Sequence, residues 1–254
     1  MKEKIIYILK ITGIVLLVTA LSGYAVFALI MSDKWHKDVI CRDVEINILD
    51  KDTYAFIDES DVFLYIKSKG LDPIGKALDF KDADKLEKCV QGINVIRTAE
   101  CYIDNYGTAI INITQRIPTY RVMSVKGDYY IDSDRRVMPV SKNFTTILPL
   151  VTGFVTQEDA KGKIYDFIES LEKDEFWKNH IGQINIRQNG NVELITKIGA
   201  KSLILNDISD YAVKFRQMEA LYSQYPAHLW SSKYSQVDLR YNNIIFCRKV
   251  TQNE

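Results

Sequence analysis

Histidine and proline are scarce in this 254-residue chain, with three and five copies; cysteine reaches only four, and neither sign of charge is in excess, 33 Lys+Arg standing against 33 Asp+Glu. Each scarcity excludes something. Few prolines and only 12 glycines leave no room for collagen-like or long low-complexity regions. A balanced charge with a pI near 6.8 lacks the basic surface that displaces counterions from phosphates, so no nucleic acid is expected as a partner. The histidines are His36, His180 and His228, none four residues from another and none in HExxH, and no CxxC occurs. A zinc site therefore has no local framework, and each histidine reads as structural or solvated. GxGxxG after a strand, GxxxxGK[ST] and GxSxG are all missing, which removes the phosphate cradles and the hydrolase nucleophile. Asp132-Ser133-Asp134 suggests a calcium loop only until the required Gly and Glu positions are read as Val137 and Asn143. The expectation is no catalytic residue, no metal, no cofactor and no small-molecule substrate.

What is present begins with a long apolar run. From Ile11 to Met31 about 21 residues carry no charge, enough to span a hydrocarbon core of ~30 Å as a helix. Lys2, Lys4 and Lys10 precede it, whereas Asp33, Lys34, Lys37 and Asp38 cancel after it. The positive-inside rule then predicts a cytoplasmic tail over 1–10, a transmembrane helix over 11–31 and export of the remainder. A cleaved signal peptide is the rival reading, but its apolar region is usually roughly 7 to 15 residues and ends in small-x-small, which Val26-Phe27-Ala28 matches poorly. Exported, Cys41, Cys89, Cys101 and Cys247 admit three pairings. They read as buried thiols on apolar faces, with Cys89–Cys101 the first bridge to test.

Punctuation divides the exported part into modules over 39–117 and 118–254, an α+β arrangement. The first reads β-α-α-β-β. It has strands at Val39-Ile40 and Val44 to Ile48, a helix capped by Asp58 and stopped by Gly70, and a second helix capped by Asp82 or Asp84. A strand pair, Ala99 to Ile103 and Ala109 to Gln115, then turns at Asp104-Asn105-Tyr106-Gly107. Pro118 marks the boundary, which predicts that 39–117 folds alone. The second module reads as a mixed domain with a mainly antiparallel sheet. It has strands at Tyr120 to Val125, Tyr129 to Ile131 and Arg136 to Met138, and one helix from Gln157 to about Lys178. Strands at Ile184 to Arg187, Val192 to Ile198 and Ser202 to Leu205 follow, then a helix near Tyr211 to Tyr225. The last element is a hairpin, Ser235 to Tyr241 and Ile244 to Val250, about a two-residue Asn242-Asn243 turn. Its outer strand, Ile244-Ile245-Phe246-Cys247 onward, has an open edge that another chain can extend. Alternatively, Arg248 and Lys249 are charges that blunt that edge.

Four segments in this order, GINVIRTAECYIDNYGTAIINITQRIPTYRV, GDYYIDSDRRVMPVS, ILPLVTG and VDLRY, resemble the FtsQ/DivIB family of bacterial cell-division proteins. The resemblance covers nearly the whole chain. It departs from the family in placing Arg135 where glycine is common, in Ile93-Asn94-Val95 where Pro-Trp-Val is usual, and in its very short cytoplasmic tail. Membership implies a bitopic divisome scaffold without enzymatic activity at the septum, a membrane-proximal POTRA domain that assists recruitment, and a C-terminal β domain that binds an FtsB/FtsL subcomplex. Carried onto this sequence, the partner-binding positions are Arg240, Tyr241, Asn243, Ile244, Ile245 and Phe246. Two other readings remain. A POTRA-bearing outer-membrane assembly or secretion component needs a β-barrel of many strands after Ile117, and an exported, membrane-anchored cell-wall enzyme needs convergent titratable groups in a cleft.

Overall fold

The computed structural model describes residues 2–35, 39–141, 144–198, 200–224, 230, 233–242 and 244–250. His36, Asn143, His228 and Asn243 lie outside them. Contacts divide the chain into two compact units: Met1–Asn47 with Phe63–Val90 and Glu100–Asn112, and Ile48–Val62 with Gln91–Ala99 and Ile113–Glu254. In order, the first elements are α1 (Lys2–Trp35), β1 (Val39–Ile40), β2 (Asp43–Ile48), α2 (Glu59–Ser68), β3 (Ala77–Leu78), α3 (Phe80–Gln91), β4 (Ile96–Ile103) and β5 (Thr108–Gln115). Then come β6 (Pro118–Ser124), β7 (Gly127–Asp132), β8 (Val137–Pro139), β9 (Leu150–Gly153), α4 (Gln157–Lys161), α5 (Lys163–Lys173) and α6 (Glu175–His180). The chain continues through β10 (Ile181–Ile186), β11 (Val192–Thr196), β12 (Ser202–Leu205), α7 (Tyr211–Gln224), β13 (Tyr234–Asp238) and β14 (Phe246–Lys249).

Helix α1 is exposed along residues 12–28, Ile14, Leu16, Leu17 and Phe27 included. Its hydroxyls are satisfied locally: Thr19 donates back to the Val15 and Leu16 carbonyls and Ser22 to that of Thr19. Among the described residues no helix is long and apolar enough to cross a membrane.

The elements of the first predicted module follow the expected β-α-α-β-β order with one addition, the two-residue β3 between the helices, which pairs antiparallel with β1; β2, β5 and β4 form a three-stranded sheet in the order β2-β5-β4. Strand β5 shows the predicted alternation, with Ala109, Ile111 and Ile113 buried. Asp58 caps α2 by accepting from the Asp61 amide at 2.8 Å, and Gly70 follows the helix at φ +72°. The second cap differs from the expectation. Asp79, not Asp82 or Asp84, is the N-cap: its carboxylate accepts from the Asp82 amide at 2.9 Å while Asp82 accepts from the Asp79 amide at 3.3 Å. An aspartate at the third helical position thus closes a reciprocal box in the place usually held by Glu. Cys41, Cys89, Cys101 and Cys247 are free thiols. Cys101, pushed up to about 11 by burial, has Glu87 and Cys41 as its charge neighbours and no bridge to Cys89.

Within the second unit Phe56 is buried, its ring edge-on to Tyr130 at 5.7 Å and to Phe144 at 4.8 Å. Buried Gln115 fixes the same segment. It accepts from the Phe56 amide at 2.9 Å and donates to the Tyr54 carbonyl at 2.6 Å and to Asp50 at 3.2 Å. A buried amide with its donors and acceptor all matched specifies one arrangement of backbone.

The nine-stranded sheet runs β14-β13-β12-β11-β10-β9-β6-β7-β8. Its ladders are mainly antiparallel, with parallel pairs β6–β9, β9–β10 and β12–β13. Strand β9 has no counterpart in the sequence reading: its four residues directly follow Pro149 and carry only two apolar side chains, too short a stretch to show a period. The single helix expected over 157–178 is three. Gly162 ends α4, and Asp174 starts α6 by accepting from the Phe176 and Trp177 amides at 3.0 and 3.1 Å. Trp177 stacks on Phe215 at 3.9 Å in the main core, which includes Phe167, Leu194, Val237 and Leu239. His180 is structural, as expected: its Nδ1 lies 2.7 Å from the Phe176 carbonyl and its ring stacks on Phe176.

Arg135, which departs from the family's glycine, is the one non-glycine at positive φ among the described residues, at φ +59°. Its guanidinium offsets that strain by pairing with Asp166 at 2.7 Å and lying 4.3 Å from the Tyr165 ring. Two outcomes are expected. Arg135→Ala keeps the left-handed strain and loses the contacts, so its urea midpoint should correspond to about 1 kcal/mol less stability than Arg135→Gly; equal midpoints would remove strain from the explanation. A fragment ending at Ile117 leaves Phe56 without Tyr130 and Phe144, so calorimetry should find its van't Hoff and calorimetric enthalpies unequal, whereas matching enthalpies would show that those rings are dispensable.

Candidate partner-binding site

Strand β14 is the end strand of the nine-stranded sheet, paired antiparallel to β13 with Asp238 opposite Phe246 and Gln236 opposite Arg248. Which of its main-chain groups face outward follows from β13. The Leu239 amide donates to the Ile204 carbonyl at 2.8 Å, so Leu239 and, two residues back, Val237 direct their main-chain groups to β12. Gln236 and Asp238 therefore face β14, and their opposites Arg248 and Phe246 face back. The Val250 amide, donating to the Lys233 carbonyl at 3.0 Å, has the same phase. Cys247 is left with an outward amide and carbonyl and Lys249 with an outward amide, its carbonyl accepting from the Ser235 hydroxyl at 3.4 Å where the register shifts between Tyr234 and Gln236; the outward groups are those that a further strand would use.

The connection between the two strands is not the two-residue Asn242-Asn243 turn. Strand pairing stops at Asp238 and resumes at Phe246, with Asn243 outside the described residues. Leu239 is fully buried and stays with β12, while the Arg240 guanidinium folds back on Asp238, Nε to Oδ1 at 2.9 Å and Nη2 to Oδ2 at 2.7 Å. That guanidinium holds the Asp238 carboxyl below the usual carboxylate range. Burial of one residue and a bidentate pair on the next thus carry the chain away from a tight turn.

The predicted positions fall into different environments. Tyr241 and Phe246 are 49% and 53% exposed, with their rings edge-on at 5.1 Å, and Ile244 is exposed beside them in sequence. Arg240 is engaged with Asp238, and its guanidinium lies 5.9 Å from the Tyr241 ring. Ile245 packs against the core. Tyr241, Ile244 and Phe246 are accordingly the apolar side chains available at this end of the sheet, with Arg248 and Lys249 exposed along the strand.

Two residues missed in the sequence hold the connection in place. Asn206 donates to the Arg240 carbonyl at 2.8 Å, and Lys214, on α7 and nearly buried, donates to the Tyr241 carbonyl at 2.9 Å. The sequence carries a signal for the second, because Lys214, Met218 and Tyr222 recur every fourth residue and place a lysine on the apolar stripe of α7. Among the described residues no group of three His, Cys, Asp or Glu side chains could hold a metal ion. A cleft of ≈ 150 Å³ lies beside Asp159, Lys163, Arg187 and Asp207, where Lys163 is 3.4 and 3.5 Å from the two aspartates.

Residues 39–114 match a family description, POTRA-like domain, and residues 117–248 match another, FtsQ/DivIB, C-terminal related. A solved structure, the major extracytoplasmic domain of the trans isomer of the bacterial cell division protein DivIB from Geobacillus stearothermophilus, is similar at 10% identity and a TM-score of 0.31, over 43% of this chain and 93% of that one. No curated protein matches the chain. The C-terminal match runs from β6 into β14, including the Tyr241–Phe246 pair, and spans more than half of the residues, so the chain belongs to the FtsQ/DivIB family of bacterial cell division proteins.

Proposed function

We propose that the protein is a non-catalytic divisome scaffold, held in the bacterial plasma membrane by α1 with its N-terminus in the cytoplasm, which links cytoplasmic-side and exported division proteins at the septum. Its exported sheet binds an FtsB/FtsL-like partner by strand addition at β14. The observation that carries this reading is the coincidence on β14 of an outward main-chain edge at Cys247 and Lys249 with an exposed Tyr241–Phe246 pair. Main-chain pairing supplies register, and a rigid aromatic surface with a polar tip supplies the anchor. Anchoring is supported by the uncharged run Ile11 to Met31 and the lysines before it. The 39–117 module would then stand nearest the membrane.

Topology is tested with reporters fused after Glu254. One that is active only outside the cytoplasm should give signal, and a cytoplasm-only reporter giving signal would overturn the anchor. The edge is tested by pull-down of the FtsB-like protein of the same genome. Tyr241→Ala should weaken binding by about 2 kcal/mol. Lys249→Pro, which deletes an outward amide, should abolish strand addition while leaving the Tm of the free protein nearly unchanged. Unchanged affinity in both variants would place the partner surface elsewhere, and normal division after full depletion would remove the scaffold role.

A further inference from the structure

Residues 239, 240 and 241 each have one main-chain group fixed by the body of the domain. The Leu239 amide is held by Ile204 of β12, the Arg240 carbonyl by Asn206 just after β12, and the Tyr241 carbonyl by Lys214 of α7. The third contact is unusual. Lys214 is 4% exposed and shares its helix face with Phe215 and Met218, a setting where an apolar side chain packs without desolvating a charge. A neutral carbonyl 2.9 Å away compensates an ammonium only in part. The charge therefore destabilises the free domain relative to an apolar residue of the same length, and what it provides is directional: a charge-assisted hydrogen bond that fixes the peptide after Tyr241.

Fixing that peptide fixes the ring. With its carbonyl held inward by α7, Tyr241 projects its side chain to the exposed side, where it meets Phe246 at the start of β14. We infer that Lys214 and Asn206 are positioning residues that form a two-point clasp on the consecutive Arg240 and Tyr241 carbonyls and preset the backbone that carries the Tyr241 ring for binding. This inference rests on the reading of β14 as the partner edge and adds to it the device that sets the affinity. A connection that samples other arrangements binds with an apparent Kd raised by the inverse of its competent fraction, and the clasp keeps that fraction near one without touching the partner.

The experiment uses the full chain in detergent and, as probe, the purified exported region of the FtsB-like protein of the same genome. Four variants are compared by affinity and by amide hydrogen exchange in the free protein: Lys214→Met, Lys214→Arg, Asn206→Asp and Tyr241→Ala. Lys214→Met should weaken binding about tenfold, the scale of losing a hydrogen bond to a charged group, and should speed exchange at 240–246 while β10 and β11 stay protected. Lys214→Arg, which keeps a cationic donor, should recover most of the affinity, a rescue that a purely packing role would not give. Wild-type affinity and wild-type exchange in Lys214→Met would overturn the clasp. If Tyr241→Ala and Lys249→Pro both leave binding intact, the partner-edge reading fails instead, and exchange in the free protein still decides whether the clasp exists. Should Lys214→Met not fold, Asn206→Asp at its exposed position carries the test: faster exchange at 240–246 supports the clasp, and unchanged protection overturns it.

Discussion

Alternation of main-chain direction along β13 is the constraint on which the rest of the site depends. Once Leu239 is committed to Ile204, the phase of every residue back to Gln236 is set, and with it the phase of β14. The two outward residues of β14, Cys247 and Lys249, are therefore decided one strand away. Side-chain direction obeys a separate alternation. Cys247 turns its thiol toward the core although its amide faces out, whereas Phe246 turns its ring to solvent although its amide faces β13. Edge and anchor are consequently offered by different residues of one short strand.

Electrostatics at this end of the sheet are local rather than global. A chain with equal numbers of acidic and basic residues spends its charges in specific pairs, and Arg240 with Asp238 is one in which both partners are only partly exposed. That pair removes the arginine from the pool of free cations and stiffens the turn out of β13. Arg135 does the corresponding task at the β7–β8 turn, where a residue type unsuited to the left-handed region is retained because its guanidinium reaches α5.

Much of this was legible in the sequence, and the exceptions have common physical causes. The strict alternation of β5, the Asp58 cap and the β-α-α-β-β order announced themselves because they are local patterns. Strand β9 did not, since its four residues hold only two apolar side chains, too few to show a period, and Pro149 masks its start. The helix expected over 157–178 broke at Gly162 and Asp174 although its apolar spacing continued, because the caps outweigh periodicity there. The Asn242-Asn243 turn failed for a tertiary reason: burial of Leu239 and the hold on the next two carbonyls come from β12 and α7, which no hairpin rule considers. In the site, Tyr241 and Phe246 were visible as aromatic residues near an edge, whereas Ile245 was indistinguishable from them until the packing assigned it to the core.

The parallel pairing of β12 with β13 has a consequence for folding. These strands are separated by the whole of α7, as the parallel pair β9 and β10 is separated by three helices, so the sheet has a high contact order and its closing entropy is met before its pairing is gained. Strand β14 pairs with β13, and β13 reaches β12 only across the span of α7. A chain in which β12, α7 or β13 is not in place therefore has no finished outer strand, so the open edge reports the integrity of the whole C-terminal part of the sheet.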